Sequence, residues 1–350
     1  MAVVKVPITH EITGHKAVRQ ALRDTETYSS DLQGDADVRN YRQLPLEVDP
    51  PRHHLYRAAL TPHFVKPAIE KSIPEFERIS RALIRNFLSQ GGEVISELAL
   101  PLVMENLGVI YNRPQDVAEW ISWGPDVWTA AGPTRSGDVL HSYLDRIYAE
   151  ALVGDSNDIW REIARLEIDG KIISPNEFRG IAGVLLAGGR DTVVKLFTGI
   201  MWHLGNTSED FYALKEDSTL IDSAIQEFLR YLTPLPAMAR TTTPESSVTE
   251  LPADRYVQIS FISGNFDETV FENSGELNIR RPRNPHLSFG FGPHTCLGNH
   301  IAEIEAKVFL KVLLEEEYSW TISPESKIKF YEGDLAKVPQ HLESLLVITS

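Results

Sequence analysis

The stretch FRGIAGVLLAGGRDTVVKLFTGIMWHLG, residues 178–205, limits the fold more than any other part of this 350-residue chain. It is the longest and most apolar segment, and its spacing predicts one helix over 176–204. A helix that is apolar nearly all round must be central and buried, with other elements packed around it. Its Gly188-Gly189 pair costs about 1 kcal/mol per glycine relative to alanine. That cost implies a local distortion or a close approach at this point.

The chain supplies the partners such a helix needs. Helical patterns run over 52–60, 67–89, 95–111, 115–128, 138–152, 157–167, 209–215 and 219–232. Gly91-Gly92, AAGPTRSGD (130–138) and GDSND (154–158) break them. The opening VVKVPITHEI alternates like a strand, and HKAVRQALRD reads as a short helix. Residues 25–48 lack a clean period and read as a long loop, often a functional feature inside a compact domain. After Pro234 the texture changes. SSVTELPADRYVQISFISG reads as short strands around a turn, and YSWTIS and SLLVITS as strands near the end. With no internal repeat or linker, one mainly α domain over residues 1–350 is expected, its smaller β portion coming from both ends.

Composition excludes several function classes. A net charge of −15 argues against a nucleic-acid binder. A single cysteine in the whole chain rules out an internal disulfide and a cysteine-rich zinc or iron–sulfur site. MAVVKVPITHE has no apolar signal core, and the longest apolar runs are too short to span a bilayer. A cytoplasmic protein without a membrane anchor is expected.

That one cysteine, Cys296, sits in FGFGPHTCLG (289–298). A lone cysteine is more often a small buried hydrophobe than a reactive group. Here Gly290, Gly292 and Gly298 allow a tight turn and close approach to a flat object. NHIAEIEAKVFLKVLLEEE then reads as a helix, so Cys296 lies just before a helix N-terminus, where a thiolate is favoured. Three further groupings stand out. Asp191-Thr192 lies inside the apolar helix, where burial makes both costly unless they have a function. Glu227 and Arg230 are spaced i, i+3, alone no more than an ordinary surface pair. In DPPRHHLYR, His53 and Arg57 are spaced i, i+4 on one helix face, which alone reads as a solvated basic face.

The pattern F-G-x-G-x-H-x-C-x-G followed by IAEIE resembles the haem-ligand loop of the cytochrome P450 family. The other motifs resemble that family in the same order, over roughly residues 10–345. The resemblance implies a single triangular-prism domain with haem b buried between the long central helix and the cysteine loop. It makes Cys296 the axial ligand of the haem iron, with Gly290 and Gly298 letting the loop lie flat and Phe289 beside the sulfur. It places His53, Arg57, Arg240 and His294 on the haem propionates, and His286 less firmly on the haem side. Asp191 and Thr192 become the distal acid–alcohol pair that delivers protons, with Gly188 leaving room for dioxygen. Glu227, Arg230 and Arg281 become a buried structural ion-pair trio. Val184, Leu235, Ala237 and Met238 are expected to line the substrate pocket. So are the loop 28–48 and the tip at Gly132-Pro133, with Arg42, Trp120 and Trp123 nearby.

The function so implied is a monooxygenase that hydroxylates or epoxidises a hydrophobic small molecule with O2. Electrons would come from a separate ferredoxin or flavodoxin-type partner and its NAD(P)H reductase, docking near Arg283, His300 and Lys307. Two rival readings are a peroxygenase driven by hydrogen peroxide and a non-catalytic haem-binding sensor; the Asp191-Thr192 pair counts against both. The sequence departs from the family pattern in three places. The usual N-terminal helix and first strand are missing. Val193 stands where many members have a second hydroxyl. Gly264-Asn265-Phe266-Asp267-Glu268 replaces the usual Ala-Asn-Arg-Asp-Pro.

Overall fold

The computed structural model describes residues 10–31, 41–124, 127, 136–155, 157–243 and 255–350. β1 (His10–Ile12) leads through Gly14 into α1 (His15–Arg23), and β2 (Tyr28–Ser29) follows. Then come α2 (Arg52–Phe64), α3 (Lys66–Ile69) and α4 (Ile73–Leu88). Proline stands in the first turn of α3 and α4, where a missing N–H costs nothing. Next are β3 (Gly92–Glu93), α5 (Leu100–Ile110), α6 (Val117–Ser122), α7 (Ser136–Val153) and α8 (Ile159–Ala164). A small hairpin, β4 (Glu167–Ile168) and β5 (Lys171–Ile172), precedes the long helix α9 (Pro175–Asn206). The chain continues through α10 (Ser208–Glu216), α11 (Ile221–Leu232), β6 (Ala237–Thr242), β7 (Tyr256–Ser260) and α12 (Phe261–Asn265). It closes with α13 (Asn299–Glu315), β8 (Trp320–Ile322), β9 (Lys327–Phe330), β10 (Pro339–Ser344) and β11 (Leu346–Thr349).

α9 starts at a capping box. The Ser174 hydroxyl accepts from the Glu177 N–H, and the Glu177 carboxylate accepts from the Ser174 N–H. Both satisfy otherwise orphaned helix-end donors. Phe178, Ile181, Phe197 and Ile200 are fully buried, which fits the central position expected of this helix. Phe197 stacks on Phe309 of α13 with ring centroids 4.4 Å apart. The Tyr111 hydroxyl donates to Leu185 O, and Trp320 Nε1 donates to Met201 O, each at 3.0 Å. One buried cluster runs from Tyr41 to Val347, joining the helices to the C-terminal strands as one domain. A smaller cluster of Val18, Leu22, Ile259, Phe261 and Leu287 seats α1 on the first sheet.

That sheet has the order β1-β7-β6-β2. β1 runs parallel to β7, whereas β6 pairs antiparallel with both β7 and β2. A second sheet, β3-β11-β8, brings Gly92–Glu93 to the C-terminal strand. The fold is therefore mainly α with a smaller β portion.

Several details depart from the sequence reading. α9 runs unbroken through Gly188-Gly189, so of the distortion or close approach expected there it is the close approach that is found. The pair has two separate uses: a Cβ on Gly189 would meet Leu107 of α5 at 3.0 Å, and one on Gly188 would meet open space. The FISG segment is the helix α12 rather than strand, held by Ile262 N donating to Pro236 O. Trp120 and Trp123 are core residues packed on Tyr143, rather than pocket neighbours. The strand expected before His10, the segment 244–254 and the tip at Gly132-Pro133 lie outside the described residues.

Gly180 carries a stability prediction. A Cβ there would sit 2.0 Å from Arg42 O. Gly180→Ala should therefore cost about 1–3 kcal/mol in overpacking, against the ~1 kcal/mol alanine gains in helix propensity. A lowered urea midpoint is expected; an unchanged one would mean that the 41–44 segment yields freely.

Candidate functional site

The cysteine loop is shaped by two left-handed glycines, Gly290 at φ +67° and Gly292 at φ +76°. At Gly292 a Cβ would also come within 2.8 Å of Leu22 O, so only glycine fits. The turn is closed by Gly290 N donating to Leu287 O and Cys296 N donating to Phe289 O, each at 2.8 Å. Gly298 then caps α13. Cys296 has an open surface, yet it is enclosed deeply enough that burial pushes its thiol pKa up. The Gly298 N–H and the Arg57 charge pull the other way. Accessible surface combined with strong desolvation describes a group facing an internal cleft rather than bulk water.

Two histidines and two arginines lie beside the thiol. His53 on α2 is 1% exposed, and neither ring nitrogen has a hydrogen-bond partner. Its ring lies 4.2 Å from that of His294, whose Nε2 meets Ser30 Oγ at 3.0 Å. Burial and the neighbouring cations push His53 down to about 4 and His294 to about 3. Arg240, on β6, is 4% exposed, and burial lowers it to about 10. Its Nη1 donates to Ala239 O at 2.8 Å. Arg57 is also lowered by burial and raised by Cys296. Asp49 acts on His53 and Arg240 from a distance, its own oxygens accepting from Ser29 Oγ and Ser30 N. Neither arginine has an ion-pair partner among the described residues. Buried polar and charged groups left without partners are costly, so this arrangement suits an anion.

The expected residues of α9 stand apart from that cluster. Thr192 Oγ1 donates to Gly188 O at 3.0 Å, and the Asp191 carboxylate lies 3.6 Å from Arg190 Nη1. The Asp191 side chain is 49% exposed, so it is not the buried acid that its apolar helix suggested. Among the described residues, no hydrogen bond or ion pair joins Gly188, Asp191 or Thr192 to the cationic group. Val184, Leu235, Ala237 and Met238 are half-buried. Leu235 and Met238 pack beside Ile259 and Phe261.

Glu227 is a hub with no solvent exposure. Its Oε1 accepts from Arg230 Nη2 and Asn278 N, and its Oε2 from Arg230 Nε, Arg281 Nε and Asn284 Nδ2, at 2.8–3.0 Å. Arg230 also donates to the carbonyls of Asn265, Ser274 and Glu276, each at 2.9 Å. The trio read from sequence is thus one fully bonded unit, and it holds the segment that leads into the cysteine loop. His286 does not join the cationic group. Its Nε2 meets Gln226 Oε1 at 3.0 Å, and burial lowers it to about 4.

Two residues were not singled out in the sequence. Lys195 is half-buried on α9 with Nζ donating to Pro234 O at 3.3 Å. Glu305 is enclosed on α13, and burial pushes it up to about 8. For Lys195 the signal was present as a charged residue on the Gly188–Thr192 face; Glu305 stood in IAEIE with nothing to separate it from a surface acid.

Comparison with known proteins gives this geometry a family. The sequence profile described as cytochrome P450 matches residues 184–345. The chain is 25% identical to the steroid C26-monooxygenase of Mycolicibacterium smegmatis, over 94% of this chain and 86% of that protein. It is 28% identical to the erythromycin C-12 hydroxylase of Saccharopolyspora erythraea, over 86% of this chain and 80% of that one. Its fold is similar to a solved structure described as a carbohydrate active P450, with a TM-score of 0.87 and 29% identity. That similarity covers 97% of this chain and 91% of the other. Fold and relatives define an oxidoreductase that works with haem iron. The chain is similar to the cytochrome P450 family in sequence and fold, and its relatives are monooxygenases and hydroxylases of that family. Among the described residues, no helix is long and apolar enough to cross a membrane.

Proposed function

We propose that residues 1–350 form one cytoplasmic haem-thiolate monooxygenase domain in which the Cys296 thiolate would hold the iron of haem b. Its reaction inserts one oxygen atom of O2 into a hydrophobic small molecule. The observation that carries this reading is the group of two arginines and two histidines beside a cleft-facing thiol, its arginines without an ion-pair partner among the described residues. His53, with two orphaned ring nitrogens, and Arg57, Arg240 and His294 suit a group with two carboxylates. Among the described residues no three His, Cys, Asp or Glu side chains converge as metal ligands. When bound, haem supplies the oxygen activation; the chain supplies the ligand, the anchors and the proton path.

The chain's own groups divide this work. Gly290 and Gly292 keep the loop backbone low, and the Glu227 hub fixes the segment in front of it. On the other side, Gly188 leaves open space and Thr192, its proton donated to Gly188 O, presents hydroxyl lone pairs that can accept a hydrogen bond. Asp191, half-exposed at the next position, can take protons from solvent and hand them on through water. We assign the electron supply to a separate ferredoxin or flavodoxin-type partner with its NAD(P)H reductase. Of the three positive residues expected at that docking face, Lys307 pairs with Asp222 at 2.6 Å and His300 lies 3.9 Å from Glu303. Arg283 is exposed and carries most of that role. The names of the relatives, which include a steroid and erythromycin, favour a largely apolar substrate of that general kind.

Thr192→Ala tests the proton path. With a surrogate reductase and NADPH, product formed per reductant consumed should fall about tenfold or more, with hydrogen peroxide released instead. Unchanged coupling would assign the relay to another donor.

A further inference from the structure

We propose that Tyr56 is a positioning residue: its bond to Glu177 sets α2, and with it the anchors His53 and Arg57, against the start of α9. This deepens the monooxygenase reading and rests on its assignment of His53 and Arg57 to the two carboxylates of the haem. Tyr56 stands three residues after His53 and one before Arg57, so its side chain leaves α2 on the flank of the face they share. At 1% exposure it is among the largest fully buried side chains of the protein. Its hydroxyl donates to Glu177 Oε1, and Arg52 Nη2 donates both to that oxygen and to the Tyr56 hydroxyl, each at 3.0 Å.

The Glu177 carboxylate is divided between two helices. Its Oε2 accepts from Ser174 N and Ser174 Oγ, each at 2.8 Å, and so closes the cap of α9. Its Oε1 serves α2. From Glu177 the helix α9 runs unbroken to Thr192, so one carboxylate gives the anchors and the Gly188–Thr192 side a common reference. The C-terminal half of α2 is set by the burial of Leu60 and Phe64. Its N-terminal half, which carries His53 and Arg57, has no side-chain cap at Pro51. There the Tyr56 bond supplies what apolar burial does not, a direction and a length. Burial, and then the acceptor Glu177, pushes the Tyr56 phenol up to about 12. Burial raises Glu177 as well, but bonds from Ser174, Tyr56 and Arg52 outweigh it and hold the carboxylate below its usual range. Donor and acceptor therefore keep their roles throughout the neutral range.

The test is haem transfer from the loaded protein to excess apomyoglobin. Tyr56→Phe keeps the ring and loses only the hydroxyl. Haem should then leave about tenfold or more faster, the scale of a lost hydrogen bond to a charged group. Glu177→Ala should do the same, and Glu177→Gln, which keeps an oxygen for the phenol, should recover most of the loss. Propionate-bending bands in the resonance Raman spectrum should shift in Tyr56→Phe and Glu177→Ala, a change that lowered stability alone does not produce. Tyr111→Phe is the control, because it loses a buried hydroxyl bond to Leu185 O of α9 that involves no residue of α2. Its haem release should stay within about twofold of the parent, with the bands unmoved. Release and bands unchanged in Tyr56→Phe, or changed equally in Tyr111→Phe, would each overturn the proposal. A parent protein without the thiolate-ligand carbon monoxide spectrum overturns the monooxygenase reading and the link with it. An intact spectrum with unchanged release overturns the link alone.

Discussion

Cys296→Ser is expected to abolish the long-wavelength Soret band of the reduced carbon monoxide complex completely. That band requires a thiolate opposite the carbon monoxide, and a serine hydroxyl is far too weak an acid to replace it. The substitution also discriminates well on structural grounds. Cys296 faces open cleft rather than packed core, so exchanging sulfur for oxygen removes little packing. The loop itself is held by backbone bonds, such as Cys296 N to Phe289 O, that serine keeps. The variant should fold, melt within a few degrees of the parent and still present His53, Arg57 and Arg240 to an anion. A variant that retains the band would sink the ligand assignment.

Arg230→Leu should have the second largest effect, on stability. Arg230 is fully buried and satisfies both Glu227 oxygens and three backbone carbonyls. Its loss leaves an under-compensated carboxylate and two buried carbonyls, those of Asn265 and Ser274, and breaking a buried pair in this way costs about 3–5 kcal/mol. That is a large part of the roughly 5–15 kcal/mol that holds an ordinary protein folded. Urea denaturation should show a midpoint lowered accordingly, together with poor haem retention, because the hub supports the approach to the cysteine loop. A loss under about 1 kcal/mol would place the pair among ordinary surface bridges.

The long elements were legible because their patterns are local. α9 and α13 follow from apolar spacing alone, and the glycines around Cys296 signal a turn before any partner is known. The short strands were not legible. β3 is two residues, Gly92–Glu93, and exists only because Leu346 and Val347, some 250 residues later, pair with it. No periodicity fits in two residues. FISG has strand-like composition, yet Ile262 N bonding to Pro236 O turns it into helix; a contact over 26 positions overrides propensity. The tryptophans were misplaced for a similar reason. Trp120 looks like pocket lining in sequence, but Tyr111 and Tyr143 close over it. Within the site, residue types and order were readable, whereas charge balance was not. That, among the described residues, the His53 ring nitrogens have no hydrogen-bond partner and Arg57 and Arg240 face no ion-pair partner are facts of three-dimensional placement. Lys195 was overlooked because an overall apolar helix hides a single polar position on one stripe.

The cationic cluster has a consequence for how the chain survives before it is complete. Like charges crowded into a desolvated space push the folded state toward opening, and His53 and His294 relieve this by staying neutral. Two guanidiniums have no such escape. An anion that binds the folded chain alone shifts the folding balance by about 2.7 kcal/mol at a hundred times its dissociation constant. The abundance of intact protein in a cell would then track the supply of its prosthetic group. Chains made during scarcity would be the first to reach the proteases, so the same residues that anchor the group act as a quality gate on unfinished enzyme.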